Sequence, residues 1–245
     1  MIAPSPTDVL DACERGRSQN PVARGLTLLQ LACPTERPDT LAILSIGERD
    51  RRLLSLREAL FGPSVTSVVS CAHCREPLEL ELSTSDLRLP QPSDDTPASL
   101  VFTRSDLQVS LRLPNSRDLE SASTASSVEE GANALLRLCV VSTQRGTDEV
   151  PIDPLPPELA EEAAQVLAAA DPQIDLTLSV TCPACATSST APFDIVSFLW
   201  TELESWSSRL LWEVHTLAST YGWSEQQVLS LSPLRRGEYL HRVLS

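Results

Sequence analysis

Four of the seven cysteines in this 245-residue chain are spaced for coordination chemistry. Cys71-Ala72-His73-Cys74 and Cys182-Pro183-Ala184-Cys185 each carry the C-x-x-C spacing that lets two thiolates from one tight turn reach the same ion at about 2.3 Å. Two such turns complete a tetrahedral set, and zinc is the metal that a four-sulfur set selects first. Four cysteines fill the tetrahedron and leave no position for water, so the expected role of Cys71, Cys74, Cys182 and Cys185 is structural and not catalytic. The competing readings are a redox pair or incidental cysteines. A thioredoxin-like pair needs one C-x-x-C opening a helix after a strand, whereas two are present here and both lie between strand patterns. His73, inside the first turn, carries a donor that could replace a cysteine, or is simply exposed.

The elements that must hold these turns are legible on either side of them. Val65-Thr66-Ser67-Val68-Val69-Ser70 is short and β-branched, and Leu78-Glu79-Leu80-Glu81-Leu82 alternates apolar with acidic, as a half-buried strand does. Ile174 to Val180 alternates into Cys182, and Thr190 to Phe193 can return. Each cysteine pair is therefore expected at a hairpin tip, and two hairpins holding one ion from opposite sides make a zinc-ribbon arrangement. About 107 residues lie between Cys74 and Cys182, against about 15 to 20 in a compact ribbon. The site thus closes a large loop, and its loss should loosen the architecture.

The composition bounds the rest. The chain is long enough for one large or two modest domains with a proper core. Its formal net charge is -14, and all 19 basic residues are arginine. That balance argues against nucleic acid as a partner, because a phosphate-binding surface needs a basic patch and only Arg75 lies beside a knuckle. Arg49, Arg51 and Arg52, and again Arg235 and Arg236, fall in helical patterns that read as solvated faces. Cys13, Cys33 and Cys139 sit in apolar helical contexts as small core residues. The start of the chain lacks the basic residues and apolar run of a secretory signal, so a reducing, cytosolic setting is expected. No stretch approaches the roughly 18 uninterrupted apolar residues of a membrane span.

In chain order, the pattern predicts helices over residues 7–15 and 21–33, then one beginning at Ser45-Ile46-Gly47-Glu48, a candidate capping box, and ending at Gly62-Pro63 just before the first knuckle. Residues 89–97 form a proline-rich acidic link, expected to be exposed and mobile. Strands are predicted over 100–102 and 107–113, and helices from 115, over 128–141 and over 157–170. From Asp194 a long helix reaches Tyr221, with Leu199, Leu203, Trp206, Leu210, Val214 and Leu217 on one face, followed by two short helices. The fold class is therefore α+β. A zinc-ribbon-like pair of β-hairpins (64–82 plus 173–193) carries an inserted α/β segment (83–172) and is flanked by an N-terminal helical region (1–63) and a C-terminal one (194–245).

Eight of the ten aromatic residues lie between Phe193 and Tyr239. Trp200 and Trp212 fall off the main stripe of the long helix, so it carries more apolar surface than one contact requires. Trp200, Trp206, Trp212, Tyr221 and Trp223 are candidate partner-binding residues, the alternative being packing within this chain. An enzyme is not expected: the sequence has no Gly-rich phosphate loop, H-E-x-x-H or G-x-S-x-G, and neither His215 nor His241 has a nucleophile or orienting carboxylate that the sequence points to.

The ordered motifs Ser45-Ile46-Gly47-Glu48-Arg49-Asp50, Leu56-Arg57-Glu58 and Phe61-Gly62-Pro63, followed by the first cysteine pair, resemble a zinc-knuckle group among the T-even-type baseplate proteins of contractile-tailed phages and related bacterial contractile injection systems. The tail is similar too, from Phe198-Leu199-Trp200 through Glu213-Val214-His215 to Tyr221-Gly222-Trp223-Ser224-Glu225 and Leu231-Ser232-Pro233. The resemblance spans nearly the whole chain and is weakest over 90–114. It implies a cytoplasmic structural or assembly protein, chaperone-like in the latter case, whose partners are baseplate or hub subunits, with the four cysteines as structural metal ligands. The alternative function is a zinc-ribbon regulator of nucleic acid or polymerase, which would need a basic face built from Arg49, Arg52, Arg75 and Arg112.

Overall fold

The computed structural model describes residues 3–90, 100–151 and 155–244. Four helices open the chain: α1 (Pro6–Gly16), α2 (Pro21–Ala32), α3 (Pro38–Ala42) and α4 (Ile46–Phe61). Their starts are chemically marked. Ser5 and Asp8 cap α1 reciprocally, Asn20 accepts from the Ala23 N–H ahead of α2, and Ser45 accepts from the Glu48 N–H ahead of α4. Gly62 ends α4, and the chain passes directly into the antiparallel hairpin of β1 (Ser64–Ser70) and β2 (Pro77–Ser83).

The segment between the knuckles is folded. It contains β3 (Leu100–Arg104), β4 (Leu107–Leu111), α5 (Ser116–Ala122), α6 (Val128–Cys139), β5 (Val140–Arg145), β6 (Asp148–Glu149) and α7 (Pro157–Ala170). Its sheet has four strands in the order β3-β4-β5-β6, two more than the sequence pattern suggested. The helical stripe through Leu135, Leu136 and Cys139 runs on into Val140 and Val141, but Val140 pairs with Leu111 of β4, Val141 falls at a register shift in the same strand, and the chain turns back through Gly146. Phe102, Val109, Leu111, Cys139, Leu159 and Ala163 form a core of their own between this sheet and α7. The proline-rich link falls, from residue 91 onward, outside the described residues.

A 3-10 turn over Pro172–Asp175 leads into the second hairpin, β7 (Thr177–Thr181) and β8 (Ser188–Pro192), followed by α8 (Ile195–Tyr221), α9 (Glu225–Leu229) and α10 (Pro233–Leu244). The 27-residue α8 serves two cores. Its first half brings Leu199, Trp200 and Leu203 against Leu28, Leu29, Leu53, Leu54 and Leu56 of α2 and α4. Its second half packs Leu210, Val214 and Leu217 against Val228, Leu229 and Leu240 of α9 and α10. Val65, Leu87 and Leu176, from the bases of the hairpins, close the first core.

Trp200 shows why one apolar stripe did not suffice for α8. It is only 3% exposed, its ring lies against Gly16 of α1, and the Arg24 guanidinium sits 4.7 Å from the ring centroid. A Cβ on Gly16 would overlap that ring. Gly16→Ala is therefore expected to cost about 1 to 3 kcal/mol, the usual range for overpacking, read as a lower urea midpoint at unchanged slope. An unchanged midpoint would show that α1 can shift freely away from α8.

Of the arginines expected on solvated faces, Arg235 is exposed, but Arg49 and Arg236 are buried and Arg51 and Arg52 are part-buried in ion pairs. Arg49 is 6% exposed and pairs with Asp50 at 2.7 Å, Arg51 reaches Asp171 at 3.1 Å, and Arg52 binds both Glu48 and Glu36 at 2.7 Å. Arg236, 4% exposed, binds Glu213 at 2.9 Å. The helical period places a residue on a face but does not say which neighbouring element covers that face, and here covered arginines meet carboxylates.

Candidate metal centre

The two knuckles are built alike. In the first, the Cys71 N–H donates to the Glu76 carbonyl at 2.9 Å and the Arg75 N–H donates to the Cys71 carbonyl at 3.0 Å. In the second, the Cys182 N–H donates to the Thr187 carbonyl at 3.0 Å and the Ala186 N–H to the Cys182 carbonyl at 2.8 Å. The residue after each cysteine pair takes a left-handed backbone, Arg75 at φ 63° and Ala186 at φ 56°. That conformation costs an L-residue roughly 1 to 2 kcal/mol, and glycine has no such cost. Ala186→Gly should therefore raise the thermal midpoint of the metal-loaded chain slightly, by the equivalent of up to about 1 kcal/mol once glycine's greater unfolded-state entropy is subtracted. A lowered midpoint would mean that the Ala186 methyl makes a compensating contact.

The hairpins meet face to face at their tips. Leu78 and Val180 are buried with Cys71 and Cys182, and Val69, Leu80, Leu178 and Ala191 pack around them. This packing brings the four sulfurs together: Cys71 Sγ lies 3.7 Å from Cys185 Sγ, Cys74 Sγ lies 3.6 Å from Cys182 Sγ, and all four are within 4.8 Å of one another. Both close pairs join one knuckle to the other. A tetrahedron with bonds of about 2.3 Å has sulfur–sulfur edges of about 3.8 Å, so an ion of that bond length fits between these sulfurs. His73 is exposed and lies outside the cluster.

The electrostatics point the same way. Backbone amides of Cys74 and His73 aim at Cys71 and lower its pKa, and the Thr187 hydroxyl and N–H lower that of Cys185 to about 6. The Glu76 amide favours the Cys74 thiolate, but burial and the sulfurs of Cys182, Cys185 and Cys71 outweigh it and push Cys74 up to about 12. Two members are prepared for ionisation and a third resists it, because thiolates this close repel one another. A bound cation removes that conflict, since coordinated thiols lose their protons.

The cluster depends on how the second hairpin is held, and that anchor was not legible in the chain. Asp171, just past α7, is 1% exposed. Its carboxylate accepts from the Ser45 hydroxyl and the Gly47 N–H, both at 3.0 Å, and from Arg51 at 3.1 and 3.3 Å, so an anion sits at the N-terminus of α4. Two residues on, buried Gln173 accepts from the Leu89 N–H at 2.9 Å and donates to the Leu87 carbonyl at 3.0 Å. These bonds fix the approach to β7 against the chain leaving β2. The sequence signal was the Ser45 cap, but its partner lies 126 positions away. On the other side, Arg57 of α4 binds Glu202 of α8 through two bonds, at 3.0 and 2.8 Å, and the Gly62 carbonyl at 2.8 Å.

The candidate aromatic contacts separate. Trp200 is in the core, and Trp206, half-buried, lies between the two cores of α8. Tyr221, Trp223 and Tyr239 pack on one another with ring centroids 4.7 to 5.6 Å apart, closing the end of α8 onto α10. Trp212 is 49% exposed and Tyr221 38%. Of the four arginines named for a basic face, three are in ion pairs, Arg49 and Arg52 with neighbouring carboxylates and Arg112 with Asp118 through both amino nitrogens at 2.6 and 2.7 Å, while Arg75 is exposed. No helix among the described residues is long and apolar enough to cross a membrane.

Comparison with known proteins gives one finding. A family described as T4 bacteriophage base plate protein matches residues 8–200, a span that includes all four clustered cysteines and ends inside α8. No curated protein and no solved structure matches the chain.

Proposed function

The chain belongs to the T4 bacteriophage base plate protein family, and on that premise we propose that it is a structural or assembly protein of the baseplate or hub of a contractile phage tail or contractile injection system, acting in the cytoplasm. The observation that carries this reading is the family match over residues 8–200. Its role is non-enzymatic: it binds other baseplate or hub subunits, and zinc held by Cys71, Cys74, Cys182 and Cys185 ties its two hairpins together around the 83–172 insert. The clustered sulfurs support the metal, and the cross-knuckle spacing supports tetrahedral coordination. In this reading the partner-facing residues of the C-terminal region are Trp212 and the exposed edge of Tyr221, with Trp206 and Trp223 shaping the surface from below.

The test is fractionation of native sheath and baseplate particles with zinc measured in the same fractions. A fixed stoichiometry in mature particles makes the protein a component, and association with free hub subunits alone makes it an assembly factor. Association with neither overturns the proposal.

A further inference from the structure

Each knuckle offers one buried sulfur and one that solvent reaches. Cys71 is 3% exposed and Cys182 1%, whereas Cys74 is exposed and Cys185 half-buried. The close contacts join these unlike partners across the two hairpins: Cys74 to Cys182 at 3.6 Å, and Cys185 to Cys71 at 3.7 Å. Disulfide sulfurs stand about 2.0 Å apart, so each pair has to close by about 1.6 Å, a movement that cysteine side-chain rotation supplies. Leu78 and Val180, buried beside the sulfurs, face the two tips toward each other. Cys13 and Cys33 belong to the helical core and Cys139 to the core of the insert. Within the chain, the four clustered sulfurs therefore have one another as partners.

We propose that this cluster is also an oxidative modification site for hydroperoxides, whose products are the cross-knuckle disulfides Cys74–Cys182 and Cys71–Cys185. It concerns the same residues as the zinc reading, but the pairing rests on the sulfur positions alone. In each pair the outer sulfur, as a thiolate, attacks the terminal oxygen of the hydroperoxide. The O–O bond breaks, the sulfur becomes a sulfenic acid, and the other oxygen takes a proton from solvent and leaves as water or an alcohol. The buried partner thiolate then attacks the sulfenic sulfur, the S–O bond breaks, and the departing hydroxide takes a second proton as the disulfide forms. Two sulfurs are oxidised for each hydroperoxide reduced. Each closed pair also removes two of the four ligands, so oxidation and metal binding exclude one another. The pairing decides the consequence. Disulfides within each C-x-x-C turn would leave the hairpins free of one another, whereas these close spans of 108 and 114 positions covalently. The hairpins stay tied when the thiolates are lost, and a tie suited to a reducing setting becomes one suited to an oxidising setting.

Peptide mapping by mass spectrometry tests it. The full chain, once loaded with zinc and once after chelation, is treated with hydrogen peroxide, alkylated, and digested without reductant. The expected products in both samples are peptides linked through Cys74–Cys182 and through Cys71–Cys185, with zinc released from the loaded sample. The oxidised chain should melt about 10 °C above the reduced, metal-free chain, because closing loops of this length restricts the unfolded state. Cys33→Ser should leave both links unchanged. Removing a buried partner should strand the sulfenic acid on the outer sulfur: a cyclic dione probe should label Cys74 in Cys182→Ser, and Cys185 in Cys71→Ser, about tenfold more than in the wild type. Links within a turn, Cys71–Cys74 or Cys182–Cys185, overturn the proposal, as do thiols left free in excess peroxide or a midpoint that does not rise on oxidation. Cross-knuckle links in a chain that takes up no zinc would uphold the pairing and remove zinc from the proposed function. Zinc uptake with links only inside each turn would do the reverse.

Discussion

Cys182→Ser is expected to abolish stoichiometric zinc binding and to lower the thermal midpoint by about 10 °C, with a chelator producing the same change in the wild-type chain. The reasoning starts from the span that the site closes. Cys74 and Cys182 are 108 positions apart, and their hairpins bury only a small cluster around Leu78 and Val180, too little apolar surface to hold the tips together without help. The helical core of α1, α2, α4 and α8 should survive, because most of its buried members lie on those helices, while the hairpin side adds Val65, Leu87 and Leu176 with Leu82 and Leu178 partly buried against it. Far-UV circular dichroism should therefore retain the helical signal while proteases gain access near residues 71–76 and 182–187. Uniform unfolding would show that the metal is integral to the main core as well. In the metal-free chain Cys74, pushed up to about 12, acts opposite to Cys71 and Cys185, and a bound cation removes that opposition by favouring every thiolate. Cys71 and Cys185 ionise below the ordinary thiol range of about 9, Cys185 at about 6, so their contribution is complete at high pH and is lost as the pH falls through the folded value. A bound cation lowers that value further, so zinc release should begin on acidification below about pH 6 and not on alkalinisation. Zinc retained at pH 4, or lost first at pH 9, would contradict a thiolate site.

Replacing Asp171 with alanine should cost about 3 to 5 kcal/mol, the loss expected when one partner of a buried charged network is removed. The substitution leaves the buried Gly47 N–H without its acceptor and takes from part-buried Arg51 and Ser45 the carboxylate that they share. Asp171→Asn should fall between the two, since it keeps an acceptor oxygen but removes the charge facing Arg51. Gly47→Ala should resemble Asp171→Ala, because a Cβ at Gly47 would overlap the Asp171 carboxylate. Denaturant midpoints measure these losses. The Asp171 and Gln173 contacts also set where β7 begins, so the same variants should hold zinc more weakly in competition with a chelator. A loss below about 1 kcal/mol would mean that water reaches this network and satisfies it. Stability lost without any change in zinc affinity would mean that the hairpins position themselves independently of α4.

The local chemistry of this protein is written in its chain. C-x-x-C between alternating strands specifies a hairpin tip with two ligands, because the turn and the donors are neighbours in sequence. Ser5, Asn20, Ser45 and Asp194 announce helix starts for the same reason, and Gly62 and Gly222 mark helix ends. What the tertiary structure alone decided is which of these local units meet. Whether the arginines of α4 face water or carboxylates depends on Glu36 and Asp171, and whether Trp200 is a contact or a core residue depends on Gly16 of α1. The strands at Val140 and Asp148 were hidden because an apolar helical stripe runs straight into β-branched residues, and only the edge offered by β4 chooses between the two patterns. Periodicity and spacing determine a residue's own turn and face. The identity of the surface opposite that face is a long-range property, and here it brings Ser45 to Asp171 and one cysteine knuckle to the other.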